Sequence, residues 1–472
     1  MNYPDENIGN DNKSGNEKEI KEQIKFLKES IRRGDIYAMI DTLEESIQLC
    51  LENDLFEDGI YIAEESVKIL PYNSEIWQLK GVLHNNAFEF NKALESFDKS
   101  IALNPTDVET LINKSIAEDN LGLYDEAINT LNKAVEIEPN NEEVYFGLGV
   151  IYSKTGNIIK AIENLETSLK LDPDFSDALS ELAICYEALN DLNKALATYE
   201  KFLELEPYNP VGWYNQGIIQ IKLSKFQKAI NSFELAIAIK DDFVSAWFNL
   251  GVAYANSNKM SLALNSLKKA SVLDPRDESI WFYLGEINRE LEKYDDAIEN
   301  FNKSLELDPN FFESYYSRGL CYSTLERDYL AHEDFKDVVK LKGDWDEGWL
   351  AKGEQELKMK YFDEAITSLK ICIELNPNLI EAWEFIAEAY SEKGDWEKVI
   401  DAYNQCIKLK PENANAYYGK AKANFLLHNT QDAIECLRSA IKLDPSIKSQ
   451  LVKDYPAIKN TSLFDLLESE NN

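Results

Sequence analysis

Ten of the thirteen prolines of this 472-residue chain share one register. Pro71, Pro105, Pro139, Pro173, Pro207, Pro275, Pro309, Pro377, Pro411 and Pro445 are spaced by 34 residues or a multiple of it, and the two steps without proline carry Asp241 and Gly343. Proline donates no backbone hydrogen bond and disfavours a helical residue before it, so it sits well just past a helix end. A 34-residue step accommodates two helices of about 13 residues joined by short turns. With this proline as position 32, twelve units run without insertion from 40–73 to 414–447. One compact core rarely grows to this length, so the register predicts a line of units, each leaning on its neighbours.

Within the unit, position 20 is alanine in ten repeats, among them Ala93, Ala229 and Ala297, and position 8 is small from the second repeat on, as in Gly81, Ser115, Gly285 and Ala387. Small residues on two neighbouring helices let their backbones approach closely. Large residues fill positions 4 (Trp77, Trp213, Trp247, Trp281, Trp349, Trp383) and 24 (Phe97, Leu131, Phe233, Phe301, Phe335). Positions 4, 8 and 11 form one helical stripe and 20, 24 and 27 another. Tyr152, Tyr186, Tyr254, Tyr322 and Tyr390 stand at position 11, and Ala or Ser predominates at 27.

Together these positions, as in AWFNLGVAYANSNKMSLALNSLKKASVLDP, resemble the tetratricopeptide repeat (TPR). The resemblance implies an all-α fold, an α-solenoid wound as a right-handed superhelix of about twelve helix-turn-helix repeats with terminal capping helices. It implies a non-enzymatic role in protein–protein interaction and names no partner. The departures lie at the ends. Ile47 at position 8 and Gly59 at position 20 mark a degenerate first repeat. The expected organisation is an acidic disordered tail over 1–17, an N-terminal cap with the degenerate repeat over 18–73, the array over 74–447, and a capping helix and tail over 448–472. In that last segment Ser462 and Asp465 fit a capping box, and Leu463, Phe464 and Leu466 suit either a cover for the last repeat or a docking motif. The joint LKGDWDEGW, with Gly343 in place of proline and Trp345 beside Trp349, is compatible with a hinge or with a contact point.

Charge and reactive residues narrow the function classes. Lys and Arg total 49 against 85 Asp and Glu, a net charge of −36. That charge disfavours nucleic acid and anionic membrane as partners. The first twenty residues hold no apolar stretch, and no run of about 18 apolar residues follows that could span a bilayer; the expected location is cytoplasmic. Cys50, Cys185, Cys321, Cys372, Cys406 and Cys436 lie far apart without a Cys-x-x-Cys pair, so neither zinc nor a disulfide framework is indicated. His84, His332 and His428 fall in three separate repeats. No catalytic residue, metal site or cofactor is expected, since convergent side chains are missing.

The resemblance places positions 2, 5, 9, 12 and 13 of the first helix on a concave face. Position 5 carries Tyr214, Phe248, Phe282 and Tyr316, and position 6 adds the amides of Asn215 and Asn249. Glu354, Glu384 and Glu388 make the later part of the face acidic. Aromatic rings also serve simply to cover neighbouring repeats, and both readings stand at this stage. Family members that clamp a C-terminal carboxylate use Lys and Asn at fixed inner positions; Lys is missing here from positions 2 and 5, so that clamp is not carried over. The expected function is a scaffold whose groove, centred on residues 210–345, binds basic or apolar protein or peptide segments. The alternative is a structural assembly factor or regulatory subunit that acts through its ends or convex face, including by self-association.

Overall fold

The computed structural model describes residues 8–456, with side chains from Glu19 onward. The chain divides into two compact units, one running to Asp241 and the other starting at Asp242. Each is a stack of helical hairpins, and no strand occurs among the described residues. Repeat 2 is typical of the first unit, with helix A at Ser74–Asn86 and helix B at Phe90–Leu103. Repeat 8 is typical of the second, with Glu278–Glu290 and Tyr294–Leu307.

The hairpin follows from local chemistry at fixed positions. Position 34 is the N-cap of the next helix A. Asn73, Asp107, Asn141, Asn209, Asp277 and Asn413 there accept hydrogen bonds from the orphan N–H groups of the first turn. Position 15, between helices A and B, is left-handed in every repeat, on glycine at Gly122, Gly156 and Gly394 and on larger residues such as Phe88, Glu292 and His428. His428 is therefore a turn residue.

Positions 8 and 24 of one repeat meet face to face. A Cβ on Gly81 would lie 2.4 Å from the Phe97 ring, and one on Gly217 would lie 2.6 Å from Phe233. These phenylalanines are fully buried, and burying such a ring contributes about 1.5–3 kcal/mol. Position 4 does more than fill space. The indole N–H groups of Trp77, Trp213, Trp281 and Trp349 donate to the carbonyls of Pro71, Pro207, Pro275 and Gly343, at 3.0, 2.8, 3.0 and 2.9 Å. Each tryptophan thus latches the turn that leads into its own helix. Trp281→Phe, which keeps an aromatic side chain but removes the N–H donor together with part of the indole, is expected to lower stability by at least about 1 kcal/mol. An unchanged urea midpoint for the full chain would show that the latch contributes nothing.

The ends are closed by helices outside the register. Helix Ile8–Arg33 begins inside the segment expected as a tail, and buries Ile24, Leu27 and Ile31 against repeat 1. In that repeat Gly59 makes room for Cys50 and Leu83, whose atoms would stand 2.9 and 2.7 Å from an added Cβ. At the other end helix Ser446–Asp454 lays Ile447 and Leu451 on repeat 12, beside Tyr418, Leu437 and Ile441. A cover for the last repeat thus begins two residues before the expected boundary. Ser462, Leu463, Phe464, Asp465 and Leu466 lie outside the described residues.

Candidate functional site

In repeats 1, 4, 8, 9 and 11 the position-5 side chain of helix A meets position 34 of its own repeat, which is the N-cap of the next helix A, and in these repeats the two positions match in chemistry. In repeat 4 Phe146 meets Phe175 with ring centroids 4.9 Å apart, and in repeat 8 Phe282 meets Phe311 at 5.1 Å. In repeat 9 Tyr316 meets Trp345 at 4.7 Å. In repeat 11 the partners are polar, with the Asn413 amide donating to Glu384 Oε1 at 2.9 Å. Asn73 and Glu44 do the same in repeat 1. Aromatic pairs of this geometry contribute about 0.5–1.5 kcal/mol beyond area burial. Where these pairs occur, position 5 therefore couples successive repeats.

In the second unit the rings run on. Phe248 of repeat 7 contacts Tyr283 edge-on at 5.1 Å, and Tyr283 contacts Phe282 at 5.5 Å. Phe282, Phe311, Tyr316, Trp345 and Phe312 extend the surface through repeats 8 and 9. Phe248, Phe282 and Tyr316 are half-buried and Tyr283 is exposed. The aromatic ridge of repeats 7 to 9 thus consists of two ring clusters, one holding Phe248 and Phe282 and the next holding Tyr316, which adjoin in sequence at Phe311 and Phe312. The missed members are Tyr283, Phe311 and Trp345. The signal for Phe311 and Trp345 was position 34, where an aromatic replaces the usual Asn or Asp, whereas Tyr283 stands at position 6, the slot of Asn215 and Asn249. Trp345 is a packing partner of Tyr316, and Trp349 latches Gly343 as its counterparts latch proline, so the joint keeps the ordinary repeat geometry.

The amides behave differently from the expectation. Asn249 donates to the Ser245 carbonyl of its own helix at 2.9 Å, one turn back. Tyr214 and Asn215 belong to the first unit. There Tyr214 packs on Phe233 at 5.9 Å, and Asn215 lies beside Tyr199, whose hydroxyl pKa is pushed up by burial and then by Glu187.

The acids follow the ridge. Glu354 stands near Tyr316 on one side and Glu388 on the other. Desolvation raises the Glu354 carboxyl above its usual range, Lys358 pulls it down and Glu388 pushes it up. The Tyr316 hydroxyl is raised by burial first, with Glu347 and Glu354 adding to the shift and Arg289 opposing it. Nearby lysines are spent elsewhere. Lys358 pairs with Asp328 at 2.7 Å and donates to the Ser323 carbonyl at 2.9 Å, while Lys352 pairs with buried Glu356 at 2.7 Å. In the first unit Lys154 and Lys222, both at position 13, reach back to Asp119 and Glu187 at position 12 of the preceding repeats.

The groups with chemical potential elsewhere are buried or separated. All six cysteines are buried and free, and burial pushes Cys50, Cys321 and Cys406 up to about 12, far from a thiolate at neutral pH. His84 is buried against Glu89 at 2.7 Å, with its pKa lowered by desolvation against the pull of that carboxylate. His332 lies 3.2 Å from Glu356. Among the described residues no cluster of His, Cys, Asp or Glu suits a metal ion, and no helix is long and apolar enough to cross a membrane.

Repeat geometry, the 8–24 contact and the latched turns define an α-solenoid of helical hairpins. Models described as TPR repeat match residues 120–156, 285–325 and 387–427, and models described as tetratricopeptide repeat match 74–107, 154–211, 198–231, 244–277 and 414–447. The chain belongs to the tetratricopeptide-repeat family. Three of the matches coincide with repeats 2, 7 and 12 of the proline register. No curated protein matches the chain. Among solved structures, the chain is similar to YrrB, described as a TPR protein with an unusual peptide-binding site, at 21% identity over 39% of this chain and 94% of that one, with TM-score 0.36. It is similar to MamA from Desulfovibrio magneticus at 22% identity over 36% and 96%, with TM-score 0.35. The C-terminal part of a TPR protein from Cytophaga hutchinsonii matches at 22% identity over 58% and 98%, with TM-score 0.41.

Proposed function

We propose that this TPR protein is a scaffold that holds segments of partner proteins along helix A of repeats 7 to 9, with the aromatic ridge as the main contact. The observation that supports this most is the pair of neighbouring ring clusters, one of Phe248, Tyr283, Phe282 and Phe311 and the other of Phe312, Trp345 and Tyr316, in which Phe248, Phe282 and Tyr316 are half-buried and Tyr283 is exposed. Half-buried aromatics of this kind supply large contact area at small conformational cost and dominate binding energy in interfaces. The acids Glu354, Glu384 and Glu388 extend the surface toward basic segments.

The test is affinity capture from a native lysate with the full chain as bait, compared with Phe248→Ala/Tyr283→Ala. Tyr283 is exposed and Phe248 only half-buried, so the double variant is expected to stay folded, as its unfolding transition checks, while recovery of specific partners falls more than tenfold. Equal recovery by both baits would refute the ridge as the contact surface.

A further inference from the structure

The second unit holds a cleft of about 770 Å³ on the inner side of repeats 11 and 12. Its walls come from helix A of repeat 11 (Ile380–Lys393), helix B of repeat 11 (Trp396–Leu409), helix A of repeat 12 (Ala414–Leu426) and the closing helix, which contributes Gln450 and, just beyond it, Tyr455. An apolar annex of about 300 Å³, with Phe425, Leu437 and Leu451 in its lining, opens beside it and shares Tyr418, Lys422, Leu426 and Tyr455 with the cleft.

The charges in the cleft do not balance. Its acids are Glu384 and Glu388, and no lysine or arginine forms an ion pair with either among the described residues. Glu384 is met only by the neutral Asn413 amide. The single lining cation, Lys422, is already neutralised by Asp454 at 3.2 Å and lies 5.1 Å from the centroid of the Tyr418 ring. Trp396, Phe385 and Tyr403 provide aromatic faces in the same cleft. Two uncompensated carboxylates among ring faces attract a cationic side chain by charge and by the ring quadrupole.

We propose that this cleft is a specific docking site for a partner segment that places an arginine or lysine between Glu384, Glu388 and Trp396 and a neighbouring apolar side chain in the annex. This rests on the scaffold reading above and assigns the closing helix a second role, since Tyr455 and Leu451 form part of the wall. The chain's own residues 457–472, AIKNTSLFDLLESENN, carry the apolar side chains but three acids against one lysine, so their charge opposes the cleft and favours an external basic segment.

The test uses the full chain and a fluorescent peptide in which arginine alternates with leucine and glycine, followed by anisotropy. Glu384→Gln/Glu388→Gln is expected to weaken binding at least tenfold. Glu306→Gln/Glu364→Gln, the same charge change at exposed positions away from the cleft, is expected to weaken it less than twofold. Equal losses in the two variants would reduce the attraction to net charge and overturn the site. Displacement of the probe by a peptide of residues 457–472 would make the tail the occupant and overturn the external partner. Partner loss on the aromatic ridge variant is read separately by capture, so the cleft can fail while the scaffold reading stands.

Discussion

Arg318→Ala is expected to lower the stability of the second unit by roughly 3–5 kcal/mol, the usual penalty for leaving one member of a buried ion pair without its partner. Arg318, at position 7 of repeat 9, grips Asp334 with two nitrogens, Nε to Oδ2 at 2.9 Å and Nη2 to Oδ1 at 2.6 Å, and its third donates to Asn302 at 2.5 Å. Asp334 is 5% exposed, so water cannot replace the guanidinium. Burial already holds the Asp334 carboxyl above its ordinary range, with Arg318 pulling it back. A carboxyl whose pKa is raised by folding stabilises the fold only below its unfolded value of about 3.9, and that contribution is lost as pH rises through the folded value. Removing Arg318 raises the folded value further, so the deficit is expected to be largest near neutral pH and to narrow as pH falls toward 4. Urea unfolding of wild type and variant at several pH values measures this, and a deficit independent of pH would contradict it.

The chain itself supplies the rescue. In repeat 6 the same two positions are Gln216 and Ser232, with Ser232 Oγ 2.9 Å from the Gln216 carboxamide oxygen. Arg318→Gln/Asp334→Ser copies that neutral pair and is expected to recover most of the loss, because removing both partners removes the buried charge as well.

These pairs also mark where the sequence stops being readable. The repeat and the 4–8–11 and 20–24–27 stripes were legible because they recur: steric need for a small residue at Gly81, Gly217 or Gly285 leaves the same letter at the same step. The aromatic residues Phe248, Phe282 and Tyr316 were visible in the same way, as a letter recurring at position 5. Position 11 was only half read. Its tyrosines announced a packing stripe, but Glu118, Gln220, Asn288, Glu356 and Asn424 occupy the same slot and are buried too. Their partners are spread through the fold. Glu356 takes Lys352, Ser368 and His332 from two repeats, and Glu118 is raised by burial against Thr130 and Lys114. A polar residue in an apolar stripe says that a partner exists; which side chain it is depends on the three-dimensional stacking. Asn249 shows a related limit, since an amide on a helix has its own turn as a competing acceptor, here the Ser245 carbonyl. The cleft at repeats 11 and 12 needed the closing helix, whose placement no register predicts.

The contact at Gly285 decides between two opposing effects of one methyl group. In an exposed helix, replacing glycine by alanine stabilises by about 1 kcal/mol. At Gly285 the new Cβ would stand 2.4 Å from Phe301 Cε1, with two more ring atoms within 2.8 Å. Phe301 is fully buried and cannot swing away, so overpacking of about 1–3 kcal/mol is expected to win and Gly285→Ala to destabilise. Gly147→Ala is the internal control, since its Cβ meets only the Leu131 side chain at 3.2 Å; it is expected to be neutral or stabilising. Phe301→Ala alone is expected to cost about 3–5 kcal/mol through the cavity it leaves. In the double variant the methyl group added at Gly285 projects into the space vacated by the ring, so the combined loss is expected to fall short of the sum by at least about 1 kcal/mol. Denaturant unfolding of wild type, the two single variants and the double variant closes this cycle. Strict additivity would mean that positions 8 and 24 do not carry the contact that sets the spacing of the two helices.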